Sequence, residues 1–320
     1  MMTTQEKADA LFEDQKSSWP QLGGNWEKLG AARLRKFDFD GFTIQVQFNP
    51  KRIVSSAAKV DKLSIEKRKC FLCTENRPPE EKSVWFGEDY EILCNPFPIF
   101  REHFTIAKSD HTPQEIEHEF FRFLDLSQEL PDLVMFYNAP SCGASAPDHM
   151  HFQAGNRGFM PLEDELGTIK QKYGNTMLHV PGLTVTAIED GLRRFVLLES
   201  NDRASLNQLF QLILEFVRKL QQGEEPMINM LSYYRDGWQI MIFPREKHRP
   251  WQYFEEGEKN ILLSPASVDM GGMLITPLEK DFQKITREEI EDIFSQVSFS
   301  QHNFAKLTGH LNDKLRSYEE

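Results

Sequence analysis

Between Arg33 and Phe48 apolar and polar positions alternate, with Phe37 and Phe39 before Asp40-Gly41 and Phe42, Ile44, Val46 and Phe48 after it. A period of two around an Asp-Gly pair predicts a β-hairpin, expected to open the first sheet. Residues 1 to about 30 are polar with Trp19 and Trp26 as anchors, and Gly23-Gly24 is expected to break any helix, leaving a wrapping arm. Lys51 to Lys69 is basic and loop-like, and apolar runs at Glu91 to Asn95 and Phe104 to Lys108 predict strands. Thr112-Pro113-Gln114-Glu115 offers a cap, a proline at the first helical position and a glutamate to close a capping box, predicting a helix to about Gln128. Leu133 to Tyr137, short and apolar, reads as a buried strand.

The second half repeats this recipe. Strands are predicted near Leu183 to Ile188 and Phe195 to Glu199, then a helix from Ala204 to Leu220 with Leu206, Leu209, Phe210, Ile213, Phe216 and Val217 at helical spacing and Gly223 beyond its end. Strands near Met227 to Tyr233, Trp238 to Phe243 and Met273 to Thr276 precede a helix that begins at Thr286. The pattern Thr112-x-x-Glu115-Ile116-Glu117-x-x-Phe120 recurs as Thr286-x-x-Glu289-Ile290-Glu291-x-x-Phe294, as duplication or two similarly capped helices would give. A length of 320 residues also favours two units of about 150. The expected organisation is an arm at 1–30 and two halves at 31–174 and 175–320, divided at the polar Gly174-Asn175.

Composition narrows the classes. With 37 basic and 49 acidic side chains the net charge is −12, against sequence-independent binding to nucleic acid or anionic lipid. The polar start and the lack of any long apolar run argue against a signal peptide or membrane span, so a cytoplasmic protein is expected. Four cysteines are too few for a disulfide scaffold, and Cys70-Phe71-Leu72-Cys73 has the spacing of a metal or redox pair.

The chemistry concentrates in Asn138 to Gln153, where a small-residue loop follows the buried strand and leads into His149-Met150-His151-Phe152-Gln153. In an extended segment His149, His151 and Gln153 share one face. A nucleophilic imidazole needs a neighbour to hold its tautomer, and small upstream residues let backbone N–H groups approach a phosphate. A His-x-His pair on an exposed strand or in a metal site without catalysis has the same pattern. Arg245, Lys247, His248 and Arg249 gather cationic potential after a strand, as an anion site or a solvated turn would. If the strand continued, Arg245, Lys247 and Arg249 would share a face, with His248 opposite. Arg77, Arg157, Arg193 and Arg194 are further phosphate candidates, whereas His103 at a strand entry reads as a packed or capping histidine.

The His-x-His-x-Gln run resembles the signature of the transferase branch of the histidine-triad superfamily: galactose-1-phosphate uridylyltransferase, diadenosine tetraphosphate phosphorylase and the GDP-L-galactose and GDP-glucose phosphorylases. The resemblance implies an α+β fold of two histidine-triad-like halves, each an antiparallel sheet covered by helices. It implies His151 as the nucleophile that forms a covalent nucleotidyl-histidine, Gln153 as its partner on the phosphate, and Asn138, Ser141 and Ser145 lining the pocket. Cys70-x-x-Cys73 resembles the cysteine pair of the uridylyltransferases, implying Cys70, Cys73, His111 and His149 as ligands of a structural zinc. The Pro-containing strand end in the second half of the phosphorylases is similar to the stretch holding Arg245 and Lys247, implying that the C-terminal half completes the site.

The expected activity is nucleotidyl transfer from a nucleoside diphosphate sugar or dinucleoside polyphosphate to phosphate or a sugar phosphate. Splitting one displacement into two lets a single cationic site serve both steps. A hydrolase of the same superfamily and a non-catalytic nucleotide-sugar-binding protein are the alternatives; Gln153 favours transfer over hydrolysis, and the two histidines favour catalysis. Neither nucleic acid nor membrane is expected as a partner, and the protein is expected to be a monomer or homodimer.

Overall fold

The computed structural model describes residues 2–53, 61–223 and 225–316; residues 54–60 of the stretch expected to be a basic loop lie outside them. Residues 1–30, expected to be a helix-free arm, hold two helices. α1 (Thr4–Ser18) starts at a capping box between Thr3 and Glu6, and α2 (Pro20–Leu29) has Pro20 at its first position. Gly23 and Gly24 lie inside α2. A Cβ on Gly23 would stand 2.5 Å from the Lys16 carbonyl oxygen, so this glycine lets α2 pass close against the end of α1 instead of breaking the helix. Trp19, at the joint, is buried.

The alternating segment forms its hairpin, β1 (Arg33–Asp38) and β2 (Thr43–Phe48), with Gly41 in the left-handed region at φ 88°. It does not open the main sheet. That sheet contains β3 (Ser83–Phe86), β4 (Tyr90–Cys94), β5 (His103–Lys108), β6 (Leu133–Asn138) and β7 (His151–Asn156). It continues through β8 (Gly174–Val180), β9 (Leu183–Glu189), β10 (Arg194–Ser200), β11 (Ile228–Tyr234) and β12 (Trp238–Pro244). The order is β3-β4-β5-β7-β6-β11-β12-β10-β9-β8, antiparallel throughout. Read inward from either edge, each group of five strands has the same order, and the groups join where β6 pairs with β11. The hairpin instead pairs in parallel with β13 (Met273–Thr276), far away in sequence.

Each group places one helix between its third and fourth strands: α3 (Phe120–Glu129) in the first, α5 (Arg203–Gln221) in the second. Asp202 caps α5 by accepting from Ala204 and Ser205 N–H, and its buried Leu206, Leu209, Phe210, Ile213 and Val217 keep the predicted spacing. Phe120 of α3 stacks on Phe210 of α5, centroids 4.0 Å apart. With α1 and the C-terminal α7 (Gln301–Leu315), these helices cover one face of the sheet. The other face meets β2, β13, α4 (Pro161–Tyr173) and α6 (Arg287–Val297).

The helix predicted from Thr112 starts only at Phe120. Tertiary contacts override the capping signal: the Thr112 carbonyl accepts from Met150 N–H at 2.7 Å, and Gln114 N–H donates to the Pro147 carbonyl at 3.2 Å. Thr286 does form its capping box, on α6. α6 lies outside both five-strand groups, so the sequence echo joins two elements that are not counterparts; the repetition resides in strand order.

Candidate active site

The site is built on the cavity-facing side of β5, β6 and β7. One row of directly paired residues runs Ser83, Leu93, Thr105, Gln153, Phe136 and on through Leu231 and Met241. Over its first half lies a cavity of about 810 Å³ whose wall includes His151, Gln153, Asn138, Ser145, Arg52 and Arg249. Its charged lining residues are Arg52, Lys67, Arg68 and Arg249 against Glu81 and Asp269, a cationic surplus in a chain of net charge −12. Such a surplus in a recessed site attracts anions.

His151 is buried, and its Nδ1–H donates to the His149 carbonyl at 2.8 Å, so the lone pair sits on Nε2. Burial pushes the ring down to about 4, more than the carbonyl contact raises it, so the imidazole is neutral near pH 7. Gln114, fully buried, holds the strand end in place. Its carboxamide accepts from His151 N–H at 2.8 Å and donates to the carbonyls of His151 and Asn138 at 2.9 and 3.1 Å, standing where the β6–β7 ladder opens.

Two carboxamides are locked with their oxygens turned back. The Ile99 amide donates to His103 Nδ1 at 3.4 Å, leaving His103 Nε2–H to donate to Gln153 Oε1 at 3.1 Å. Asn138 Oδ1 accepts from Ser267 N–H and Asn229 Nδ2–H at 2.8 and 2.7 Å, while the Ser267 hydroxyl donates to the Tyr137 carbonyl at 2.6 Å. Both residues line the cavity, and in each the NH₂ group is left as the donor for whatever enters it. The loop beside them comes close to the C-terminal half: Gly143 has φ 104°, and a Cβ there would meet that of Ala266 at 2.7 Å.

The basic turn after β12 behaves differently from the expectation. Arg245 is fully buried and donates to Asn229 Oδ1 and to the carbonyls of Val297 and Pro265, at 2.8 and 2.9 Å for the carbonyls. It acts on the site through Asn229 and then Asn138, without facing the cavity. Lys247 is exposed and outside the cavity wall. The strand ends at Pro244 and the chain turns, so His248 and Arg249 line the cavity, Arg249 donating to Ser264 Oγ at 3.1 Å. Ser145 lines the cavity, whereas Ser141 is exposed on a short helical turn. Arg77 pairs with Glu91 at 3.0 Å and Arg193 with Asp190 at 2.7 Å, both buried. Arg194 is held by Glu189 at 3.2 Å, and Arg157 lies over the Tyr233 ring at 4.2 Å.

Sequence reasoning passed over His103, Gln114, Arg52 and Asn229. For His103 the signal was available, because alternation on β5 sets residues 103, 105 and 107 on the face that β7 shows at 151 and 153. For Gln114 none was, since its residues read equally well as a helix cap. Arg52 Nε and Arg68 Nη1 are buried with no hydrogen-bond partner among the described residues, on side chains that line the cavity. An anion would satisfy them.

Beside His151 the structure gathers Cys70, Cys73, His111 and His149, with ligand atoms all within 4.8 Å of one another. His149 Nε2–H donates to the Lys108 carbonyl at 2.7 Å, which turns its Nδ1 lone pair inward. That Nδ1 lies 3.3 and 3.6 Å from the sulfurs of Cys70 and Cys73 and 3.2 Å from His111 Nδ1, itself 3.2 Å from Cys73 Sγ. Burial opposes ionisation of Cys70, but His149 and the Leu72 and Cys73 amides outweigh it and bring the thiol down to about 6. Tetrahedral zinc bonds would set N···N near about 3.3 Å and N···S near about 3.6 Å. The four residues fit a metal of that kind and would fill all four of its tetrahedral positions.

Family models cover most of the chain. One described as "Domain of unknown function (DUF4922)" matches residues 11–156, and one described as "GDPGP1-like, C-terminal domain" matches residues 172–317. Galactose-1-phosphate uridylyltransferase of Caldanaerobacter subterraneus is 28% identical over 214 residues, 60% of this chain and 38% of that protein. The enzyme of that name from Lactococcus lactis is 32% identical over 83 residues, 25% of this chain and 17% of its own. The chain thus spans well under half the length of these curated relatives. The yeast Ap4A phosphorylase Apa2, in a crystal structure with Ap4A, matches with a TM-score of 0.63 at 16% identity, covering 93% of this chain and 99% of its own. The two share a fold. No described helix is long and apolar enough to cross a membrane.

Proposed function

The chain belongs to the transferase branch of the histidine-triad superfamily, and from that premise we propose that it is a nucleotidyltransferase or phosphorylase working through a nucleotidyl-histidine. The donor is a nucleoside diphosphate sugar or a dinucleoside polyphosphate, and the acceptor is phosphate or a sugar phosphate. The observation that carries this reading is the pair of carboxamides, Gln153 and Asn138, both held as donors toward a cavity that also receives the lone-pair nitrogen of a neutral, buried His151.

In the first step His151 Nε2 forms a bond to the α-phosphorus of the donor. The bond from that phosphorus to the bridging oxygen breaks, and the sugar phosphate or shortened polyphosphate leaves with the electron pair. Positive charge growing on the ring is met by the His149 carbonyl at Nδ1, and negative charge on the phosphoryl oxygens by the NH₂ groups of Gln153 and Asn138, with Arg249 at the cavity wall. In the second step an acceptor oxygen attacks the same phosphorus, and Nε2 recovers its electron pair.

Cys70, Cys73, His111 and His149 would hold a zinc ion. Bound there, zinc contributes folding energy and steadies the strand start whose carbonyl orients His151. Metal analysis should return about one equivalent of zinc per chain, and a metal-free protein of unchanged stability would remove zinc from the reading.

Intact mass measured after incubation with GDP-, UDP- and ADP-sugars and dinucleoside polyphosphates tests the reaction. The wild type should gain the mass of one nucleoside monophosphate in an acid-labile, base-stable linkage, and His151→Asn should gain none while still folding. Turnover without an adduct, or an unchanged adduct in His151→Asn, would sink the mechanism. An adduct discharged only to water would leave a hydrolase.

A further inference from the structure

β6 and β7 run as a ladder only from the Leu133–Asn156 pair to the Phe136–Gln153 pair. Beyond it β6 follows β11, where Asn138 lies opposite Asn229, and β7 follows β5, where His151 lies opposite Ala107. Continued by two steps, the register that stops at Phe136 and Gln153 would have set Asn138 against His151, and directly opposed residues show their side chains on one face. Both do line the cavity. The nucleophile and one of the amides that meet the phosphate therefore stand on strands that diverge just where the two must converge on one group.

The Gln114 carboxamide fills the gap. It accepts from the His151 N–H at 2.8 Å and donates to the His151 carbonyl at 2.9 Å, taking both main-chain groups that a residue of a paired strand would have taken. Its second N–H reaches the Asn138 carbonyl at 3.1 Å. Gln114 is itself fixed by its backbone: its N–H donates to the Pro147 carbonyl at 3.2 Å, and its carbonyl lies 3.1 Å from the Tyr137 hydroxyl. A direct ladder would bring opposed Cα atoms to about 4.5–5.5 Å, and a carboxamide between the main chains holds them further apart. Each of these hydrogen bonds adds little net stability, but a buried network with every partner supplied admits one arrangement.

Resting on the nucleotidyl-transfer reading above, we propose that Gln114 is a positioning residue of the reaction, setting the separation of His151 from the Asn138 amide across the gap into which the phosphorus must fit. Attack needs Nε2 close to that phosphorus while the Asn138 NH₂ meets the oxygens of the same group. An error of about 1 Å in such an arrangement costs on the order of 100-fold in rate. Gln114 is fully buried and lies outside the cavity wall. It therefore acts on the bonding step through His151 and Asn138, and leaves nucleotide binding to the residues that do line the cavity.

Single-turnover formation of the His151 adduct in the full-length protein tests this, followed by intact mass with whichever of GDP-glucose, UDP-glucose, ADP-glucose and Ap4A labels the wild type fastest. Affinity for the same compound is measured by calorimetry in the His151→Asn background, where no reaction intervenes. Gln114→Met, apolar and of similar length, should form the adduct on the order of 10- to 100-fold more slowly at saturation, with nearly unchanged Kd. Gln114→Glu keeps the acceptor for the His151 N–H and, when protonated, one donor in place of two. Its rate relative to wild type should rise as the pH is lowered from 9 to 6, which a scaffold role would not produce in folded molecules. Wild-type rates in both variants would overturn the proposal, as would a loss carried by Kd. Failure of both variants to fold would make Gln114 scaffold alone and overturn it too. In each of these cases an adduct on the wild type leaves the transfer reading standing; a wild type that forms none removes that reading and this proposal with it.

Discussion

Gln153 and Met241 stand at equivalent places in one sheet. Each is on the strand that directly flanks the central β6–β11 pair, in the same row and on the same face. Around Gln153 the strand is His151-Phe152-Gln153, open to a cavity; around Met241 it is Ile240-Met241-Ile242, buried. The same strand order thus serves two ends. The N-terminal group spends its inner face on polar chemistry. The C-terminal group packs that face and sends its polar residues, Asn229, Arg245 and Ser267, across the join to orient Asn138. A duplicated topology does not duplicate a site, because the fold asks only that the face be covered.

Exchanging the two side chains is the strongest way to break this comparison. Gln153→Met should lower kcat/KM by about 1.5–3 kcal/mol, roughly 10- to 150-fold, and also cost on the order of 1 kcal/mol of stability, because the buried His103 Nε2–H loses its acceptor. Met241→Gln should cost about 1–3 kcal/mol of stability for a buried unpaired amide while leaving kcat/KM near wild type. Urea unfolding and steady-state kinetics on both variants check the pair, and equal kinetic losses would mean that the second group also faces substrate.

The turn after β12 sharpens the boundary between the groups. Arg249→Ala should raise the KM for the nucleotide donor or lower kcat, by up to about 2 kcal/mol in total. Lys247→Ala should stay within about 0.5 kcal/mol of wild type in both kinetics and stability. The reverse ranking would restore the extended-strand reading of this segment.

A further effect lies in the pH dependence of stability. His103 is fully buried in the N-terminal group, and burial, with Arg52, brings its ring down from 6.5 to about 3. The unfolded chain therefore takes up a proton that the folded one refuses. Stability from this residue is complete above about pH 6.5, falls as the pH drops below that value, and levels off only near pH 3. At pH 5 the loss is about 2 kcal/mol. Urea unfolding at pH 7 and pH 5 measures it, and His103→Gln should show an acid sensitivity reduced by about that amount.

Much of the fold was legible because local signals agreed with burial. The Asp-Gly hairpin, the Asp202-capped helix with its six-residue apolar stripe and the strands at 133, 183, 195, 228, 238 and 273 formed close to where periodicity puts them. The failures share one cause. Gly23-Gly24 read as a break and Thr112-Pro113 as a cap, and in both places a contact from elsewhere prevailed: the Lys16 carbonyl in the first, Met150 and Pro147 in the second. The helix over Pro161–Tyr173 was not foreseen, although Glu163 closes onto the Met160 N–H at its start.

Sequence alone determined that His149, His151 and Gln153 share a face, since a strand alternates with a period of two whatever surrounds it. It also supplied two cysteines and a histidine of the right kind to meet His149. The tertiary structure decided the rest. It brought residues 70, 73 and 111 to within ligand distance of residue 149, buried Arg245 where a surface cation was expected, and set the hairpin beside β13 instead of the main sheet. Those outcomes depend on which distant segment fills a given space, and the free energy of filling it comes from surfaces that no local stretch of chain contains.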